Sequence, residues 1–189
     1  MNKIMLTLAA VMTLHFTACA QNKGGNNMQT ESKTLVVYFS ATCNTAQAAR
    51  MIADATKGTL YEIVPQQPYT SADLNWNNKQ SRSSLEMNNP QARPKLKEGK
   101  ATVGTADVVF IGYPIWWNQA PRVVNTFIES NDLKGKRLIP FATSGGSNIT
   151  NSVKELKRTY PALQWEDGKL LNRANRNTVQ NWTREVMAE

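Results

Sequence analysis

The sequence predicts an α/β domain in which a parallel sheet is covered by helices on both faces. Three observations predict it. Residues 35–39 and 108–113 form apolar runs without a polar interruption, as in central parallel strands that have no solvent face. Segments with an apolar period of 3.6 alternate with such short runs, so consecutive strands are joined by helical, right-handed crossovers. At 189 residues and 41% hydrophobic content, the chain can bury one sizeable core but not two.

The elements follow in order. After the first strand comes a loop of small hydroxyl and amide residues, then a helix over residues 45–56 with Ala48, Met51, Ile52 and Ala55 on one face; Lys57 and Gly58 stop it. Residues 60–64 read as a second strand. The polar stretch from Pro65 to about Gly104 is expected to carry Tyr69, Leu74, Trp76, Leu85 and Met87 on a helix, ahead of Pro90 and Pro94. The strand at 108–113 leads into the loop 114–121 and a helix whose first residue is Pro121, with Val124, Phe127 and Ile128 on one side. Residues 137–143 give a fourth strand. Its Pro140 is awkward there, because proline removes a ladder donor and belongs at edges or bulges. A helix over 150–160 carries Val153, Leu156 and Tyr160 in period and stops at Pro161. Residues 169–171 are a weak fifth strand, and 178–187, with Val179, Trp182 and Val186 on one face, a terminal helix.

Residues 1–18 are expected to be an export signal rather than part of this fold. Lys3 precedes an apolar run over 4–16 that is too short to span a bilayer and ends in small residues. The junction Phe16-Thr17-Ala18-Cys19 resembles a bacterial lipobox, in which Cys19 becomes the lipidated first residue; Ala18-Cys19-Ala20 also fits plain signal-peptidase cleavage. Residues 19–33, rich in Asn, Gly, Gln, Ser and Lys, form a tether with a reach of about 20 Å. The folded domain is then 34–189, and the expected location is the periplasm or a membrane anchor in the cell envelope.

Removing the signal narrows the chemistry. His15, the only histidine, goes with it, so the domain can hold neither a Ser-His-Asp or Cys-His unit nor a His-ligated metal. With Cys19 lipidated, Cys43 stands alone and no internal disulfide can form. The formal charge is +8; the signal contributes one of the 22 basic residues, which leaves 21 − 14 = +7. Apart from Lys95, Lys97 and Lys100 the basic residues are scattered, which describes a solvated surface, and for an exported chain nucleic acid is not the expected partner.

Ligands of such sheets sit at the carboxyl ends of the strands, where this chain has the loops 40–45, 114–121 and 143–150. The first is a hydroxyl-rich turn opening a helix. Free first-turn N–H groups and the helix dipole favour an anion there, with Ser40, Thr42, Asn44 and Thr45 as side-chain donors; an ordinary cap on Thr42 or Asn44 is the alternative. In the second, Trp116 and Trp117 are either buried core or a plane on which a flat heterocycle packs. The third, Thr143-Ser144-Gly145-Gly146-Ser147, has glycines that permit positive φ and bring N–H groups close to a ligand edge. Together the three describe a site for a mononucleotide with a flat ring.

With the run Tyr113-Pro114-Ile115-Trp116-Trp117 after the third strand, the chain resembles the flavodoxin family over residues 34–171. The resemblance implies a flavodoxin-like three-layer sandwich with a five-stranded sheet in order 2-1-3-4-5, non-covalent FMN, and one- or two-electron transfer. It places Ser40, Ala41, Thr42, Cys43, Asn44 and Thr45 around the phosphate, and Pro114, Ile115, Trp116, Trp117 and Asn118 around the flavin ring. Trp116 would pack on the isoalloxazine and Trp117 would lie near its reactive nitrogen. Thr143, Ser144, Gly145, Gly146 and Ser147 would turn amides to the pyrimidine edge. Three departures stand out: Cys43 occupies a position usually held by glycine, the loop 143–150 has no aromatic residue, and the charge is basic where the family is acidic. The implied function is an FMN electron carrier of the envelope, docking an acidic redox partner and reaching the membrane through Cys19. An FMN-dependent quinone or nitro-compound reductase, and a binding module without flavin, are the alternatives.

Overall fold

The computed structural model describes residues 33–98, 101 and 103–188, so the expected export segment, Cys19 and the tether up to residue 32 lie outside the described residues. The elements run β1 (Thr34–Tyr38), α1 (Asn44–Thr56), β2 (Thr59–Glu62), α2 (Arg82–Asn88), β3 (Val108–Pro114), α3 (Arg122–Ser130), β4 (Arg137–Thr143), α4 (Thr150–Thr159), β5 (Gln164–Trp165), β6 (Lys169–Leu170) and α5 (Arg176–Met187). All strand pairs are parallel, in the order β2-β1-β3-β4-β5, with β6 also on β4.

The alternation of side chains along the central strands builds two cores. Leu35, Val37, Val109, Ile111 and Leu138 face Val123, Val124 and Phe127 of α3 and Val153 and Leu156 of α4. On the other face Val36, Phe110, Ile139 and Phe141 meet Ala49 and Ile52 of α1 and Val179 and Trp182 of α5, the Trp182 ring standing edge-on to Phe110 at 5.6 Å. Three layers result. The uninterrupted apolar runs are therefore explained: β1 is buried along its whole length and β3 at all but its last residue.

Four expectations need correction. The helix expected to gather Tyr69, Leu74, Trp76, Leu85 and Met87 is only the seven residues of α2. Upstream, Asp73 accepts from the Thr70 N–H and hydroxyl, and Asn75 and Asn78 accept from the N–H groups of Asn77 and Gln80, so short side chains hold the backbone in turns and leave no helix. Pro121 is the cap of α3, at ψ 147, rather than its first residue. Helix α5 starts two residues earlier than expected, because the Asn175 side chain accepts from the Thr178 N–H at 2.9 Å.

The sheet has the expected order 2-1-3-4-5 and the expected strand at 169–171 is present as β6; the fourth correction is that the fifth position is split, β5 taking its first part. This also resolves Pro140. Leu138 and Ala142 accept from the N–H groups of Glu166 and Leu171, so the alternate residue Pro140 faces the same edge of β4, at the interval where neither short strand pairs. No donor is missed there. Gly168 fills the interval because any Cβ would lie 2.8 Å from the Pro140 carbonyl oxygen.

Candidate functional site

The loops after β1, β3 and β4 are drawn together by two links between strand ends. The hydroxyls of Thr45 and Thr143 lie 2.8 Å apart in a buried hydrogen bond, and the Ile115 N–H donates to the Thr143 carbonyl at 2.8 Å. A cleft of about 730 Å³ opens above them. Of the residues expected there, Thr42, Asn44, Pro114, Ile115, Trp116, Thr143, Ser144 and Gly145 line it.

The loop after β1 ends on Cys43, which adopts φ 63 and caps α1 without a side-chain bond. The Ser40 hydroxyl accepts the Ala46 N–H at 3.2 Å, and the Gln47 N–H closes the first turn on the Cys43 carbonyl. Among the described residues, the consecutive N–H groups of Ala41, Thr42, Cys43, Asn44 and Thr45 have no hydrogen-bond acceptor. Unpaired successive N–H groups at a helix start form an anion cradle. The Thr42 and Asn44 side chains share only a long 3.4 Å contact and are otherwise uncommitted, whereas the hydroxyl of Thr45 is spent on Thr143.

Cys43 is exposed, and its positive φ is a conformation that favours glycine. Cys43→Gly should therefore stabilise the fold by about 1 kcal/mol, the usual gain where a side chain is removed from a left-handed position. Urea unfolding checks this; a destabilised variant would show that the thiol makes contacts that outweigh the strain.

The loop after β3 is a tight hairpin. Trp116 and Gln119 exchange both main-chain hydrogen bonds, at 3.0 and 2.9 Å, across Trp117 and Asn118, whose φ values are 47 and 60. Two successive positive φ angles match a type I′ turn, natural for asparagine and strained for tryptophan. Trp116 is fixed by its neighbours: Phe39 and Tyr69 stand edge-on to it at 5.6 and 5.3 Å. Tyr69 is held in turn by a hydrogen bond to the Glu86 carboxylate and by the Arg82 guanidinium, 4.1 Å from its ring centre, while Arg82 and Glu86 pair at 2.6 Å. Burial and the Glu86 charge push the Tyr69 hydroxyl far above the ordinary tyrosine range.

The loop after β4 is braced from within. The Ser144 hydroxyl accepts from Gly146 and Ser147, and the Asn172 side chain both accepts from the Ser144 N–H and donates to its carbonyl, each at 2.8 Å. Gly145 and Gly146 do not use the positive φ that glycine permits, and a Cβ on either would touch nothing within 4 Å. What the loop offers is the Gly145 N–H, which has no acceptor among the described residues.

Sequence reasoning missed a fourth wall. Gln47, Ala48 and Met51 of α1 and Leu171, Asn172, Arg173 and Ala174 after β6 complete the cleft. Among the described residues Arg173 is the only charged one in its lining, and it sits at φ 49. Ser40, Ala41, Cys43, Thr45, Asn118, Gly146 and Ser147 belong to the same loops but do not line the cleft, and Trp117 stands at the hairpin tip, 43% exposed.

A family model described as Flavodoxin matches residues 33–186. The chain is similar to a candidate flavoprotein from Bacteroides eggerthii DSM 20697, at 59% identity over 84% of this chain and 99% of that one, with a TM-score of 0.79. A candidate flavoprotein from Bacteroides uniformis ATCC 8492 matches at 54% identity, over 81% and 98% of the two chains, also with a TM-score of 0.79. A flavoprotein from Lactobacillus acidophilus NCFM in complex with FMN shares the fold, at 20% identity over 80% and 99% and a TM-score of 0.62. No functionally curated protein matches the sequence.

Proposed function

This chain belongs to the flavodoxin family, and we propose that it binds FMN in the cleft and serves as an electron carrier of the bacterial cell envelope. The observation that carries the proposal is the run of N–H groups from Ala41 to Thr45 without acceptors among the described residues, of which Thr42 and Asn44 line the cleft together with Trp116 and Arg173. A phosphate fits the first feature and a flat ring the second. Bound FMN supplies reversible one- or two-electron transfer. The chain's own part is positional. The N–H row, with Thr42 and Asn44, would hold the phosphate; Trp116, locked by Phe39 and Tyr69, would give the ring a fixed plane; Gly145 would offer an N–H to its polar edge. The cleft presents Arg173 and no carboxylate to the negative charge that reduction adds.

The envelope assignment rests on the sequence of residues 1–33, with Cys19 as the lipid attachment point; no helix among the described residues is long and apolar enough to cross a membrane. The formal charge of +7 left after removal of the signal favours an acidic redox partner. Purification tests the proposal: the protein should be yellow, release FMN on acid treatment and take it up again. A colourless protein that ignores added FMN would sink it. Rapid quinone or nitro-compound reduction with NADH or NADPH and no partner protein would instead assign the chain as an FMN-dependent reductase.

A further inference from the structure

Trp116 lines two cavities. Besides the large cleft, a slot of about 280 Å³ is lined by Leu74, Trp76, Ser83, Ile115, Trp116 and Trp117, so Ile115 and Trp116 are walls common to both. The slot is built by the turn region ahead of α2, which brings Leu74 and Trp76 to the hairpin after β3. The common wall is rigid, because Phe39 and Tyr69 clamp Trp116 edge-on and Tyr69 is itself bound by Glu86 and Arg82.

Among the described residues, no ring contact or hydrogen bond engages the other two indoles. Trp76 is 71% exposed, and Trp117 is 43% exposed on a strained backbone angle. Large aromatic surfaces left in water forgo burial energy and a tryptophan at positive φ costs stability, and such features concentrate at binding sites. The lining chemistry defines the occupant. None of the six residues ionises; the slot's side-chain polar groups are the Ser83 hydroxyl, in a long 3.4 Å contact with Ser81, and the indole N–H groups. A charged ligand would give up hydration there without meeting an opposite charge. The volume falls just below the roughly 300–1,000 Å³ typical of small-molecule sites, which suits a ligand of one or two rings, and tryptophan faces select flat rings.

We propose that this slot is a second binding site, for a small neutral molecule of one or two fused aromatic rings packed against Trp76 and Trp117, with Ile115 and Trp116 as walls it has in common with the cleft. The site requires no flavin, so it stands or falls apart from the proposed cofactor. The test is a titration of the isotopically labelled full chain with quinoline, and in parallel with naphthalenesulfonate as an anionic counterpart, following the tryptophan indole N–H signals by nuclear magnetic resonance. Single Trp→Phe variants assign the signals. Quinoline should shift the Trp76 and Trp117 signals saturably, and the sulfonate should bind at least about tenfold more weakly. Trp76→Ala should weaken quinoline binding about tenfold or more while FMN uptake is unchanged, and Leu74→Ala should weaken it in the same direction. The proposal is overturned by shifts that do not saturate, by equal quinoline binding in Trp76→Ala, or by indole shifts that follow protein concentration without a probe, which would place a second copy of the chain in the slot. Saturable quinoline binding by a wild type that takes up no FMN would remove the flavin assignment and leave the slot standing.

Discussion

Replacing Thr42 and Asn44 together by alanine should weaken FMN binding by two orders of magnitude or more. Both side chains line the cleft beside the unpaired N–H row, and their only mutual contact is 3.4 Å long, so turning them toward a phosphate forfeits little. A hydrogen bond to a charged group contributes about 1.5–3 kcal/mol, and two such losses amount to about 3–6 kcal/mol, where each 1.4 kcal/mol is a factor of ten. The main-chain donors from Ala41 to Thr45 survive the substitutions, so residual binding should persist. Neither side chain is buried, and the thermal midpoint without FMN should hold nearly constant. Fluorescence titration of the flavin-free protein measures the affinity. A double variant within tenfold of the unaltered chain would mean that the phosphate is held elsewhere.

The N–H row was legible in the sequence because its causes are local. Small residues between an apolar strand and an amphipathic helix set both the turn and the helix start, and the strand ends that carry Ser40, Pro114 and Ser144 follow from sheet topology alone. The central strands were legible for the same reason, since burial on both faces forces an unbroken apolar run. The region from Pro68 to Gln80 was not. There the apolar residues Tyr69, Leu74 and Trp76 are spaced by tertiary demands, two of them lining the slot, while Thr70, Asp73, Asn75 and Asn78 dictate turns that defeat a helical period.

The fourth wall of the cleft was illegible for a topological reason. Asn172 and Arg173 reach the site only because β6 pairs with the last residues of β4, placing them beside Ser144, and a two-residue strand gives no periodic signal. An asparagine and an arginine after a weak strand look like any loop. The clamp on Trp116 was hidden similarly: Tyr69, Arg82 and Glu86 converge on it from a separate connection, and no spacing in the sequence announces that meeting. The split of the fifth strand could have been suspected from Pro140, whose missing donor demanded a gap on one side of β4.

The fold should collapse steeply above pH 11, because the environment of every tyrosine favours its protonated form. Burial comes first in each case. It raises Tyr38 together with the Glu62 charge, Tyr61 together with Glu98 and Tyr69 together with Glu86. It raises Tyr113 against an opposing hydrogen bond with Ser152 and pushes Tyr160 up to about 12. In the unfolded chain each hydroxyl ionises near its ordinary value of about 10. A group whose folded value is raised contributes its full stability below the unfolded value and loses it as pH rises toward the folded one, so no tyrosine effect is expected below pH 10 and the loss falls above it. At pH 11, Tyr69 and Tyr113 should each remove about 1.4 kcal/mol, together about 3 kcal/mol, with further amounts from Tyr38 and, reduced by solvent screening, from the more accessible Tyr61 and Tyr160. Against a typical domain stability of about 5–15 kcal/mol, that loss places unfolding in reach between about pH 11 and 12. Phenolate absorbance and far-ultraviolet circular dichroism should then change together in one transition, and Tyr113→Phe should make the pH dependence shallower. Phenolate appearing in full near pH 10 with the helical signal intact would show that the tyrosines titrate in the folded protein and that their burial opposes ionisation far less than the structure indicates.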